Sequence, residues 1–407
     1  MKPAKHKFTI LKQVMDHIPA YLVPKVARDS CVEKKCRTFS PWSHVVSMVF
    51  AQISHALSLN DICDTLRNQA SSLATIRGAQ PPSRNGLSHA NKVRSSEMAK
   101  RVFYETLNHF TSHFPRFGRF DSQFKLSRRI KRTINIVDST TISLFAYCMD
   151  WAKHRRRKAA AKCHMLLDGK SFLPRFAVIK TAKSSDAVNA RGLCAPLQAG
   201  EIVIFDKAYV DFMHLFELCS RGIAWVTRAK DNMSHEIVRK MRVTCPGVIL
   251  DAEIKLIGIR SRKNYPRNLR LIVADVERNG KIVRMRFITD NFDWSPVTIT
   301  DLYKSRWDIE LFFKQLKQTL KLSDFLGYSE NAVQWQVWMA LLTYVILRFI
   351  AYLSKWKGTF ARLFSAVRGV VWSRFDLYNM LLYCGTAVGR QRIFIPVQQL
   401  SLPLFVR

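Results

Sequence analysis

Apolar and polar positions follow two periods along this chain, and the period changes near residue 133. Ahead of that point the spacing is helical. Phe8, Leu11, Val14, Met15 and Ile18 recur at three- and four-residue intervals until Pro19 interrupts them. Ser40-Pro41 opens a second helix, the serine placed to cap it and the proline at its first turn, predicted to run from Trp42 to about Leu57. Ser58 caps a third, Leu59 to about Asn68. Turn chemistry from Gly78 through Pro81-Pro82 to Asn85-Gly86 marks a junction, and one helix is predicted from about Ser88 to Phe110. Short helices in succession suit a small bundle, either one that grips DNA or a scaffold without DNA contact.

Beyond residue 133 the runs become short, apolar and β-branched. Thr133 to Asp138 reads as a strand ending in a carboxylate, with Ile142 to Phe145 as its hairpin partner. Cys163 to Leu167 and Phe176 to Ile179 are further strands. Glu201 to Phe205 is another, followed at once by Asp206, and Ile223 to Thr227 repeats the pattern. Between about 230 and 290 the readable elements are strands: Val248 to Ile257, Leu269 to Val276 and Ile282 to Thr289, the last two joined at Asn279-Gly280. Helical periodicity returns over about 298 to 321 and 331 to 354, then in segments near the C-terminus. The stretch Val337 to Leu353 is short of the ~20 residues a bilayer needs, and Arg348 interrupts it, so a buried core helix is expected. No apolar run follows Met1-Lys2, and no signal peptide is expected.

Charge narrows the partners. Among 407 residues, 65 Lys and Arg face 30 Asp and Glu, a net charge of +35, while 48% hydrophobic residues suffice for packed cores. Such an excess repels itself unless a polyanion neutralises it, and nucleic acid is the usual one; a membrane surface or an acidic protein are the alternatives. Basic clusters at Lys153 to Lys158 and Arg260 to Arg270 are candidate contacts to a DNA backbone, though any single member can equally be a solvated charge. The nine cysteines have no repeated spacing, and Cys31 with Cys36 lacks a second pair to complete a zinc site. Reduced thiols in a cytoplasmic protein follow. No Gly-rich loop ending in Gly-Lys-Ser/Thr is present, so no nucleotide cofactor is expected.

In a chain this basic, carboxylates behind apolar strands invite attention. Hydrolysis or transfer at a phosphodiester is served by two Mg²⁺ ions about 3.5–4 Å apart, held by carboxylate oxygens. Asp138 and Asp206 stand where strands of an α/β sheet present their functional ends, although each alone is an ordinary turn residue. The run from Leu302 to Lys317 supplies a third acid. At about 100° per residue, with Tyr303 at zero, Arg306, Glu310 and Lys317 fall near 300°, 340° and 320°. Ile309, Phe313, Leu316 and Leu320 form the adjoining apolar stripe that would pack on a sheet. Glu310 therefore looks into a cleft, while Asp308 falls on the solvent side. A solvated ion pair between Arg306 and Glu310 would explain those two residues, but gives no reason for Tyr303 and Lys317 to share the stripe.

The spacing Tyr303-x2-Arg306-x3-Glu310-x6-Lys317 resembles the YREK signature of bacterial DDE transposases of insertion sequence family four. Asp138-Ser139-Thr140 is similar to that family's first aspartate motif, and Phe205-Asp206-Lys207-Ala208-Tyr209 to its second. Val226 to Lys230 is similar too. The likeness covers about residues 130 to 350, and the N-terminal 75 residues resemble an accessory domain found ahead of such cores. It implies an RNase H-like α/β core, with Asp138 on its first strand, Asp206 after its fourth, and Glu310 on a helix that follows a β-rich insertion. It implies that Asp138, Asp206 and Glu310 are catalytic and bind Mg²⁺, or Mn²⁺ in its place, and that Tyr303, Arg306 and Lys317 hold DNA phosphates. His164 is a candidate phosphate contact or simply a core histidine.

The expected division is a helical N-terminal DNA-binding domain over 1–78, a helical connector over 79–132, and the first part of the core over 133–227. A β-rich insertion over 228–290, the second part of the core over 291–355 and a helical C-terminal region over 356–407 complete it. The expected function is metal-dependent cleavage at insertion-sequence ends followed by strand transfer. Its partners would be terminal inverted repeats and target DNA, its assembly a homodimer on DNA, and its place the bacterial cytoplasm at the nucleoid. The rivals are an RNase H-like nuclease without strand transfer, and a transposase-derived binding protein that no longer cuts.

Overall fold

The structure is a computed structural model, and the residues it describes are 3–32, 38–117, 130–144, 148, 153–155, 158–181, 186–278, 280–314, 316–317, 320 and 326–384. Among these residues seven helices come first: α1 (Ile10–Met15), α2 (Leu22–Asp29), α3 (Pro41–Ser54), α4 (Leu59–Asn68), α5 (Ala70–Ala74), α6 (Arg84–Val93) and α7 (Ser96–His113). Ser40 caps α3 by accepting from the Ser43 N–H at 3.0 Å, with Pro41 in the first turn. Ser58 and Asp61 form a reciprocal capping box on α4. Helix α3 ends at Ser54, short of Leu57, because His55 takes a left-handed conformation. The single helix expected from Ser88 to Phe110 is two helices, α6 and α7. The carbonyls of Asn91 and Arg94 are captured by Asn331 Nδ2 at 2.8 and 2.7 Å, Trp335 Nε1 also donates to Arg94, and Ser95 caps the new start. Partners some 240 residues away in sequence leave no local trace.

The central sheet contains β1 (Ile134–Leu144), β2 (Lys153–Arg155), β3 (Lys158–Asp168), β4 (Pro174–Thr181), β5 (Ile202–Phe205), β6 (Ala224–Arg228), β7 (His235–Lys240), β8 (Val248–Leu256), β9 (Leu269–Arg278) and β10 (Lys281–Thr289). Helix α8 (Asp186–Cys194) links β4 to β5 and α9 (Phe212–Ser220) links β5 to β6; neither was read in the sequence. Helix α10 (Ile259–Asn264) interrupts the insertion. After the sheet come α11 (Pro296–Ser305), α12 (Trp307–Lys314), α13 (Glu330–Leu353), α14 (Phe360–Gly369) and α15 (Leu377–Tyr383). The remainder of the C-terminal region lies outside the described residues.

Strands β4, β3 and β1 pair antiparallel, whereas β1, β5 and β6 pair parallel. This order is that of an RNase H-like core. The insertion extends the same sheet, since β10 pairs with β6 and carries β9, β8 and β7 outward. Ile142 to Leu144 is not a hairpin partner but the continuation of β1, which pairs with β3 from Asn135 to Leu144; Phe145 lies outside the described residues. Asp138 accordingly sits within β1, one residue beyond the last pair, Val137 with Phe205, of the parallel ladder.

Side chains alternate across a strand, and the two apolar cores follow that alternation. Ile134, Ile136, Ile202, Ile204 and Val226 join a core with α11, α13 and the N-terminal helices, whereas Val137, Val203, Phe205 and Trp225 join one with α8 and α9. Residues on both sides of position 78 belong to the first core. Helix α13 lies within it, packed on α3, α6, α7 and α14. It is long and apolar enough to cross a membrane, but 83% of its apolar stretch is buried inside the protein, which explains an apolar surface all round.

Three histidines stabilise this fold as neutral rings. Burial pulls His17, His44 and His164 below their ordinary value, to about 4, 3 and 4. His44 pairs with Asn91 at 2.8 Å and lies 4.1 Å from the Trp335 ring. The unfolded chain takes up protons near pH 6.5 and the folded chain only near 3 to 4. The contribution is therefore complete above pH 6.5 and lost as pH falls, each ring adding a slope of up to about 1.4 kcal/mol per pH unit. Urea unfolding at pH 7 and pH 5 should show wild type losing more stability on acidification than His44→Gln; equal losses would discount His44.

Candidate active site

The register of the sheet brings two carboxylates together. Asp138 and Asp206 each follow the Val137–Phe205 pair, and the Asp206 backbone remains extended. By alternation Asp138 shares a face with Ile134 and Ile136, and Asp206 with Ile202 and Ile204. Both look toward α11 and α12. These helices replace the continuous helix expected over 298 to 321. The chain tightens at Arg306, whose N–H bonds to Tyr303 O at 3.0 Å while Ile309 N–H bonds to Arg306 O at 3.2 Å, three-residue spacings both. Arg306 keeps α-type angles, so the polar stripe survives the break.

A cleft of about 570 Å³ is lined by Asp138, Ser139, Thr140, Asp206, Arg228, Arg278, Arg306, Glu310, Phe313, Lys314 and Lys317. All three expected acids are there, with Arg306 and Lys317. Tyr303 stands behind them, buried, and its hydroxyl donates to Asp206 Oδ1 at 3.2 Å. Burial pushes the Tyr303 phenol up to about 12, so it donates as a neutral hydroxyl. Arg306 is 8% exposed and donates from Nη1 to Asp138 Oδ2 at 2.7 Å and from Nη2 to Glu310 Oε1 at 3.2 Å. Glu310 is half exposed, with Arg278 Nη2 at 3.7 Å. Burial lowers the Lys317 ammonium from its ordinary value. The Asp308 side chain lies outside the described residues.

Asp138 is pushed up to about 6, chiefly by burial, with Asp206 and Glu310 adding to it and Arg306 and the Ser139 N–H opposing. Crowded carboxylate oxygens of this kind suit a hard divalent cation. Among the described residues, no three His, Cys, Asp or Glu side chains converge as a ready metal cage, and the Arg306 guanidinium spans two of the acids instead.

The sequence reading gave Arg228 and Arg278 no role at the site, although alternation marks both. Arg228 is two positions beyond Val226, and Arg278 two beyond Val276, each on the face that carries the acids. His164 lies on the opposite face, fully buried, away from the cleft lining. Asn189 Nδ2 donates to its Nε2 at 3.1 Å, which leaves Nδ1–H to donate to Tyr209 Oη at 3.0 Å. Ser139 joins this network through Asp186, which Lys162 neutralises at 2.6 Å. His164 thus supports the strand carrying Asp138 from behind. Of the two basic clusters, the side chains of 153–158 lie outside the described residues. Arg260, Arg262 and Lys263 are exposed, but Arg270 is not a backbone contact: it is buried in a bidentate pair with Asp251 at 2.8 and 2.7 Å.

The sequence profile of the transposase DDE domain matches residues 129–346, and a domain of unknown function matches residues 6–76. The chain belongs to the transposase DDE domain family. A protein of Sinorhizobium fredii named as transposase y4zB is 32% identical over 58% of this chain and 66% of its own length. A probable transposase for insertion sequence element IS5377 of Geobacillus stearothermophilus is 27% identical over 65% of this chain and 68% of its own. Transposase InsG for insertion sequence element IS4 of Escherichia coli is 26% identical over 46% and 42%. The match spans just under two-thirds of the first relative's length. Among solved structures, a cryo-EM piggyBac transposase synaptic complex with hairpin DNA aligns over 91% of this chain and 83% of its own, at 6% identity and a TM-score of 0.41.

Within this DDE domain, Arg270 ties the insertion to the helices of the cleft. Its Nη1 donates to the carbonyls of Trp294 at 2.6 Å and Phe292 at 3.1 Å, in the loop that launches α11. Arg270→Met leaves Asp251 buried without its partner and should cost about 3–5 kcal/mol by urea unfolding. A loss under about 1 kcal/mol would show that the pair contributes little, as exposed pairs do.

Proposed function

We propose that this chain is a DNA transposase that cleaves insertion-sequence ends and joins them to target DNA, with Asp138, Asp206 and Glu310 as its divalent-metal ligands. The observation that carries the reading is that these acids, from two adjacent strands and one helix, line one cleft edged by five basic side chains. Membership of the transposase DDE domain family supports it. Mg²⁺, or Mn²⁺ in its place, would supply Lewis-acid stabilisation of the attacking and leaving oxygens at the scissile phosphate. The chain's own residues supply the rest. Tyr303 fixes the Asp206 carboxylate through its hydroxyl. Lys317, Lys314, Arg228 and Arg278 present cationic groups along the cleft wall, where a DNA strand's phosphates would run. Arg306 offers the bidentate fork that suits a phosphate. A homodimer, each copy holding one end of the element, would join two ends in a single event.

The test is a supercoiled plasmid carrying the gene with its flanking DNA, incubated with wild type, Asp138→Asn, Asp206→Asn or Glu310→Gln in Mg²⁺ or Mn²⁺. Wild type should nick at the element's ends and yield joined products, and each variant should lose activity by at least about 100-fold. Nicking without joined products would reduce the reading to a nuclease. Cleavage indifferent to all three substitutions would overturn the site.

A further inference from the structure

We propose that Arg306 is the resident counter-ion of the carboxylate site and the gate on its metal loading. The inference rests on the reading of Asp138 and Glu310 as metal ligands. Its guanidinium bridges the two acids through separate nitrogens, Nη1 on Asp138 at 2.7 Å and Nη2 on Glu310 at 3.2 Å. The oxygens engaged are those a divalent cation would need, so cation and guanidinium compete for them. With Arg306 8% and Asp138 15% exposed, their pair is largely shielded from solvent, and the competition is correspondingly strong.

Two further features make Arg306 a gate rather than a fixed clamp. Its Nε–H is buried and meets no acceptor among the described residues, so the bridging position leaves one donor without a partner there. It also occupies the tight turn between α11 and α12, outside either helix. On leaving the acids the side chain exchanges them for another anion in the cleft, and a DNA phosphate offers the matching geometry. By reciprocity, whatever draws Arg306 off the acids raises their affinity for the cation, which couples metal loading to DNA binding.

The experiment is calorimetric titration of Mn²⁺ into metal-stripped, DNA-free, full-length protein. Arg306→Gln should bind Mn²⁺ at least tenfold more tightly than wild type. Arg306→Lys keeps the charge but cannot span both acids, and should fall between them. Arg278→Gln removes an equal charge 3.7 Å from Glu310 without touching Asp138, and should change affinity less than threefold. Adding Asp138→Asn to Arg306→Gln should abolish the gain. Unchanged or weaker binding in both Arg306 variants overturns the gate while leaving the metal site standing. An equal gain in Arg278→Gln also overturns it, since bulk charge would then suffice. Absence of Mn²⁺ binding in every protein overturns the metal-ligand reading and this inference with it.

Discussion

The parallel ladder between β1 and β5 ends at the pairing of Val137 with Phe205, and the arrangement of the cleft follows from that register. The next residue on each strand is a carboxylate, and alternation sends both to the face covered by α11, α12 and α13. Shifting either strand by one residue would turn its acid toward α8 and α9. The register is held against such a slip by burial on both faces: Ile202, Val203, Ile204 and Phe205 are all fully enclosed. Two aspartates near each other raise the local electrostatic cost, and the ladder beneath them bears it.

Helix α13 completes the support from below. Because the N-terminal helices pack on it and the sheet residues facing it join the same cluster, the helical layer and the core share one apolar interior. Asn331 and Trp335 on α13 fix the turn between α6 and α7, and His44 on α3 lies against the same tryptophan. From the other direction Arg270 reaches from β9 to the carbonyls ahead of α11. The helices bearing Tyr303, Arg306 and Glu310 are thereby held to the insertion, and the insertion is part of the same sheet. Remote segments of the chain thus converge on one rigid frame around the cleft.

What the sequence made legible were features written in local periods. Serine caps at Ser40 and Ser58, the strands around Phe205 and Val226, and the stripe of Arg306, Glu310 and Lys317 each depend on neighbours a few residues away. What it hid depends on distant partners. The break at Arg94 is set by α13, the length of β1 by its pairing with β3, and the burial of Arg270 by Asp251 on the next strand. Arg228 and Arg278 fall between these cases. Their parity was readable, but only once the paired faces were known did parity assign them to the cleft. His164 shows the opposite limit, since its residue type invites a phosphate and its parity turns it away.

Net charge takes on a sharper meaning at the cleft itself. Three acids there face five basic side chains, Arg228, Arg278, Arg306, Lys314 and Lys317, so the lining is positive before any metal enters. Each divalent cation would add two more charges of the same sign. The cleft therefore approaches neutrality only when an anion of several charges lies along it, and a DNA strand provides one phosphate charge after another. An anion of a single charge would leave part of that excess unmatched. In the proposed reading the bridge from Arg306 to Asp138 and Glu310 would be the internal substitute, one cation shared between two acids until a polyanion binds.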